Sequence, residues 1–218
     1  FRTRAQHIRN LPENLPVNKQ LFYTIEILDE AIAGGRQVAF FYNTYDADKT
    51  LKPRADEHGQ PRRYLINPYQ MVATNGRFYL ICNYDKYDNV SYYRLDLITE
   101  AALLDTPVKP LNRVKGLEHG LDLPRRMAEH IYMCGGDAAL VTFRASRVII
   151  NDIIDWFGSD ARITPANDNT VEVSVRVNLD AMFFWAMQYG LHTEVLQPHC
   201  LRERLRAAAE EMGRRYAP

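Results

Sequence analysis

Asn75-Gly76, set between the apolar runs at 65–73 and 78–84, constrains this chain more than any other pair of residues. Both residues accept the positive φ of a two-residue type I′ turn, so the flanking runs are predicted to pair as an antiparallel hairpin. A second turn at Asp88-Asn89 brings the chain back through Ser91 to Ile98. The stretch from Tyr64, YLINPYQMVATNGRFYLICNYDKYDNVSYYRLDLI, therefore reads as a three-strand meander of aromatic and β-branched residues, which suggests a small curled sheet.

Ahead of the meander, Asn18 is placed to cap a helix whose Leu21, Ile25, Leu28 and Ile32 share one face until Gly34-Gly35 ends the run. Val38, Phe40 and Tyr42 then alternate with Ala39, Phe41 and Asn43 in a strand, and a turn-rich segment follows at 46–62. With a further run at 101–104, the order is one helix and then four or five antiparallel strands. That is the pattern of an SH3-like or Sm-like small β-barrel. Pro68 within a strand fits a bend or an edge.

Between 107 and 120 the composition shifts to Pro, Lys, Arg, Asn and Gly, marking a domain boundary, and 124–133 reads as a short bridging helix before Gly135-Gly136. Beyond it lies a strand at 139–144, then a helix capped by Ser146 and carrying Val148, Ile149, Ile153, Trp156 and Phe157. Strands at Ile163 and 171–177 flank the turn Asn167-Asp168-Asn169. A helix at 180–189 closed by Gly190, a strand at 193–196 and a last helix opened by Pro198, with Leu201, Leu205, Ala208 and Met212 inward, complete the chain. The order βαββαβ plus a helix is ferredoxin-like. The expected class is α+β: residues 1–17 a linker, 18–106 a first domain, 107–136 a linker with a short helix, and 137–218 a second domain.

Composition narrows the function. Lysines and arginines number 27 and so do the acids, so a nucleic acid would have to be held by a local patch. Cys82, Cys134 and Cys200 lack CxxC spacing, which fits reduced thiols in a cytoplasmic protein. No apolar run approaches the roughly 20 residues of a membrane span, so no membrane partner is expected. His58, His119, His130 and His192 lack metal spacing, and Gly135-Gly136 lacks a phosphate-loop context, so neither metal nor cofactor is expected. His199-Cys200 and the acids Asp152 and Asp155 make no catalytic constellation, and an enzyme is not expected.

A surface that holds bases needs exposed aromatic faces beside guanidinium groups, each stacked base contributing about 1–3 kcal/mol. The meander offers both. By strand parity Tyr92, Arg94, Asp96 and Ile98 share a face, so Arg94 is either an anchor for phosphate or the partner of Asp96. Tyr42 is expected to bury its ring with the hydroxyl at a rim, Tyr79 to be less buried, and Phe78 and Leu80 to pack in the core. Arg54, Arg62, Arg63 and Arg77 lie in or beside loops and form a basic patch if those loops converge. On the last helix Arg202, Arg204 and Arg206 alternate with Glu203 and Glu210, first of all a solvated face.

Phe78-Tyr79-Leu80, with Tyr64, Pro68, Tyr69, Gly76 and the strand YYRLDLI at 92–98, resembles the WYL domain. Phenylalanine replaces the family's tryptophan, and Leu97 replaces a second arginine. Trp185, Gly190, Val195, Leu196, Pro198 and Leu201-Arg202 are similar to the pattern of the WCX extension. The resemblance implies the sensing and oligomerising part of a bacterial transcriptional regulator. Residues 1–17, with Arg4 to His7, would then be a linker from an absent N-terminal helix-turn-helix that contacts promoter DNA. It further implies a ligand, single-stranded nucleic acid or a nucleotide-like molecule, held by Tyr42, Arg63, Arg77, Tyr79, Tyr92 and Arg94, with Arg202 contributing from the second half. A small-metabolite sensor and a passive dimerisation platform are the alternatives. A homodimer is expected because Met182, Phe183, Phe184, Trp185 and Met187 wrap more of their helix than one core needs.

Overall fold

The structure, a computed structural model, describes Asn18 and residues 20–217; the expected linker 1–17 lies outside the described residues. The chain forms two compact units. One runs to Tyr87 and resumes at Tyr93–Lys109; the other consists of Asp88–Tyr92 and the chain from Pro110 onward. Among the described residues no helix is long and apolar enough to cross a membrane.

The first unit opens with α1 (Leu21–Gly34), which buries Thr24, Leu28 and Ala31 and stops where Gly35 takes φ 60°. The helix starts at Leu21, so the N-cap position falls to Gln20, which makes no side-chain capping bond, and not to the expected Asn18 two residues earlier. The Asn18 Oδ1 accepts the Gln20 N–H at 2.9 Å, while its Nδ2 donates to the carbonyls of Ile98 at 2.7 Å and Asp96 at 3.2 Å, tying the start of the helix to a distant turn. Six strands follow: β1 (Arg36–Tyr45), β2 (Leu51–Pro53), β3 (Arg63–Thr74), β4 (Arg77–Tyr84), β5 (Val90–Arg94) and β6 (Ile98–Pro107). They are ordered β2-β1-β3-β4-β5, with β6 on β1. The turn joining β3 and β4 is the expected one, Asn75 at φ 51° and Gly76 at φ 69° with Thr74 opposite Arg77.

Register shifts in the β1–β6 and β3–β4 ladders bend this sheet, but it closes no barrel. The 3-10 turn Leu95–Leu97 intervenes between β5 and β6. The core is aromatic: the Tyr93 ring lies 4.8 Å from Tyr42, 5.5 Å from Phe40 and 5.6 Å from Tyr64, and burial raises its phenol pKa. Phe78 does not join it. It is 50% exposed, opposite the exposed Ala73 one rung from the turn, and burial along β4 starts only at Leu80.

In the second unit α2 (Leu123–Glu129), capped by Asp122, precedes β7 (Ala138–Ser146), α3 (Ile150–Phe157), β8 (Arg162–Pro165), β9 (Thr170–Asn178), α4 (Leu179–Gln188), β10 (Thr193–Gln197) and α5 (His199–Arg215). The sheet order β10-β7-β9-β8, antiparallel throughout, is that of a ferredoxin-like fold. Alternation sends Val141, Phe143, Val171, Val173 and Val175 inward beneath Trp185 of α4, and leaves Leu140, Arg144 and Arg176 outward or exposed. Asn178 starts α4 by accepting the N–H groups of Asp180 and Ala181, each at 3.0 Å. Two expected inward residues are exposed. Ser146 caps a 3-10 turn, Arg147–Ile149, rather than the helix, which leaves Val148 outward; α5 outruns the core before Met212.

Candidate functional site

In the first unit, neighbouring strands and turns assemble a patch around Asp96. Arg94, the last residue of β5, grips that carboxylate twice, from Nε to Oδ1 at 3.0 Å and from Nη2 to Oδ2 at 2.6 Å. Arg77, first residue after the Asn75-Gly76 turn, reaches the same Oδ2 from Nη1 at 3.4 Å. Two residues along β4 and on the same face, the half-buried Tyr79 lies close enough to Arg94 for their charges to interact. The backbone N–H of Arg94 donates to the Tyr42 hydroxyl at 3.3 Å. Beside it, the Arg54 guanidinium sits 4.8 Å from the centre of the Tyr42 ring.

This arrangement answers whether Arg94 pairs with Asp96, though the parity behind the question fails: Asp96 stands in a 3-10 turn, and it is that turn which swings its carboxylate back onto the arginine. The pair leaves Nη1 of Arg94 without a partner among the described residues, and its side chain is 28% exposed. The Asp96 hydrogen bonds hold the guanidinium pKa above its usual value, so Arg94 stays charged. Burial, foremost, raises the Tyr42 phenol, which therefore keeps its proton; the oxygen already accepts from Arg94, so that proton remains available to an acceptor. Two guanidiniums thus face the Asp96 carboxylate and a third stands over the neighbouring Tyr42 ring, a local positive surplus on a chain of balanced charge.

Three expected residues fall elsewhere. Arg63 pairs in register with Phe41, its guanidinium 5.9 Å from that ring, and strand alternation puts the two on the opposite face from Tyr42 and Tyr64. Tyr92 belongs to the second unit, where its hydroxyl accepts from Arg126 at 2.7 Å and its ring lies 5.3 Å from His130. Arg202, also of the second unit, is occupied by Glu194 at 3.1 Å and by the Val195 carbonyl at 2.9 Å, and so fastens α5 to β10. Conversely, Arg54 reads in sequence as an ordinary loop charge. Its signal is the short strand before it, which folds back on β1 so that the Arg54 N–H bonds the Tyr42 carbonyl at 3.0 Å.

A curled antiparallel sheet with an arginine–tyrosine patch and a separate ferredoxin-like unit define a two-module α+β protein. The chain matches the family model of the WYL domain over residues 23–103 and that of the WCX domain over residues 137–213. It thus carries a WYL domain followed by a WCX domain. Among solved structures it is similar to the proteasome accessory factor B/C (PafBC) of Arthrobacter aurescens, at 18% identity and a TM-score of 0.39 over 94% of this chain and 29% of that one. It is also similar to a CRISPR Cas-related protein, at 15% identity and a TM-score of 0.48 over 90% of this chain and 54% of that one. The chain therefore spans under a third of the first and about half of the second. A search of curated protein sequences gives no significant match.

Proposed function

We propose that this chain is the effector-sensing part of a bacterial transcriptional regulator, and that the patch on its WYL domain binds single-stranded nucleic acid or a nucleotide-like molecule. The reading assigns it binding and no catalysis, and leaves promoter DNA to a helix-turn-helix elsewhere in the full regulator. The observation that carries it is the clustering of Arg77 and Arg94 on a single acid, Asp96, with Tyr79 beside Arg94 and Arg54 stacked on the neighbouring Tyr42. Guanidiniums offer forked donors to phosphate, and a half-buried ring beside them gives a base a face to stack on.

Arg94→Ala is expected to weaken binding of a short labelled single strand, read by fluorescence anisotropy, by about 1–3 kcal/mol, because one charge-assisted phosphate contact is lost. The slope of log affinity against log salt should shrink by about 0.7, one released counterion on a single strand. Asp96→Asn keeps the guanidinium and removes its competitor, so it should bind at least as well as the parent. If Arg94→Ala leaves affinity and salt slope unchanged while the melting temperature drops, Arg94 is scaffold and the proposal fails.

Association into a homodimer belongs to the same proposal. Most of α4 is spent inside its own unit, with Ala181, Met182, Trp185 and Ala186 buried, yet Phe184 is 59% exposed and Leu191, just beyond the helix, 98%. Sedimentation equilibrium at micromolar concentration should show a dimer that Phe184→Glu converts to monomer. A monomeric parent would remove the idea.

A further inference from the structure

The second unit contains a cavity of about 610 Å³ that none of the chemistry above uses. Its wall includes Tyr92, Gly116, Arg125, Arg126, His130 and Arg176. That is the size range of pockets for small organic ligands.

Two of these side chains are held in place and left incomplete. His130 is buried, 4% exposed, and its Nδ1 meets the Cys134 carbonyl at 2.7 Å. A carbonyl can only accept, so Nδ1 carries the hydrogen and, in the neutral ring, Nε2 is an acceptor. Nε2 has no partner among the described residues, and His130 lines the cavity. One helical turn earlier stands Arg126, whose carbonyl accepts the His130 N–H at 3.0 Å. The Arg126 guanidinium is half-buried and has only neutral partners among the described residues, the Tyr92 hydroxyl at 2.7 Å and the Gly116 carbonyl. The four acids of the wall are engaged elsewhere: Glu129 takes Arg125 at 2.9 Å and Arg176 at 3.1 Å, Glu118 accepts the Gly116 N–H at 2.9 Å, Asp122 accepts the Arg125 N–H at 3.2 Å, and Asp137 lies 3.8 Å from Lys115.

A partly buried cation without a carboxylate and a buried acceptor without a donor, side by side at i, i+4, ask for one group that is both anionic and a hydrogen donor. A carboxylate supplies only the first property. A singly protonated phosphate supplies both, one oxygen accepting from Arg126 while its P–OH donates to Nε2 of His130. The volume leaves room for an organic remainder. We propose that this cavity binds the phosphate of a small phosphomonoester, at a site separate from the Arg94 patch and independent of what that patch binds.

The test is calorimetric titration of the full 218-residue chain with ribose 5-phosphate and with adenosine 5′-monophosphate, with adenosine as the uncharged control. At least one ester should bind and adenosine should not. Arg126→Met and His130→Asn should each weaken the ester by about tenfold or more, the loss of a charge-assisted bond, whereas Arg94→Ala should leave it unchanged. Arg126 also supports Tyr92 and Gly116, so His130→Asn is the decisive variant: asparagine can still donate to the Cys134 carbonyl but has no atom at Nε2. Unaltered melting in that variant together with weakened ester binding supports the site. Absence of binding by both esters, equal binding of adenosine, unchanged affinity in His130→Asn, or a loss caused by Arg94→Ala instead would each overturn it.

Discussion

Replacing Asn67 with leucine should destabilise the first unit by about 3–5 kcal/mol, although the two side chains are similar in size. Asn67 is fully buried in β3, directly before Pro68 and the register shift that follows it. Its Oδ1 accepts from Nε2 of Gln37 at 2.9 Å and from the Lys109 N–H at 2.8 Å. Its Nδ2 donates to Oδ1 of Asn83 and Oδ1 of Asp85, both at 3.0 Å. Leucine removes all four bonds at once and leaves the buried Gln37 and Asn83 amides each short of one, at about 1–3 kcal/mol per deprived group. The network also joins β1, β3, β4 and the chain beyond β6 where the β3–β4 ladder is interrupted, so register should loosen there first. Urea denaturation measures the loss, and hydrogen exchange should show it spreading along β3 and β4. A loss below about 1 kcal/mol would mean that water replaces the amide without penalty.

Trp185→Ala should cost a comparable amount, about 3–5 kcal/mol, by opening a cavity in the second unit. The indole is fully buried, with ring centres 5.3 Å from Phe143, 4.9 Å from Phe157 and 4.8 Å from Tyr189. Its Nε1–H has no acceptor among the described residues. A buried donor left without an acceptor is destabilising in itself, so Trp185→Phe should be much milder than alanine: the smaller ring gives up contacts but removes the orphan donor. Urea melts of the two variants decide this. Equal losses for phenylalanine and alanine would show that ring volume alone governs the site.

Both variants act on features of unequal legibility in the sequence. The apolar helix that carries Trp185 is plain in the sequence, but its apolar residues run nearly all round it, and only the fold shows that Met182 and Trp185 face the core while Phe184 is exposed. Asn67 carries no such mark, since an asparagine before a proline suggests a turn, and only the convergence of Gln37 of β1, Asn83 of β4, Asp85 just after β4 and Lys109 just after β6 gives it a reason to be inside.

What the amino-acid order determined by itself was local. Asn75-Gly76 set one hairpin, Gly35 ended α1, alternation in β7 and β9 chose the inward valines, and the succession of elements specified the ferredoxin-like unit. Each of these depends on residues a few positions apart, where φ preference and periodicity act directly. The tertiary structure alone decided the membership of the site. Arg54 reaches Tyr42 because β2 folds back on β1; Asp96 meets Arg94 and Arg77 because a 3-10 turn breaks the strand; Tyr92, two residues from Arg94, packs with Arg126 and His130 in the other unit. Alternation tells which way a side chain points from its own strand, whereas the partner it finds depends on bulges, turns and pairings that are settled by packing between residues far apart in the chain.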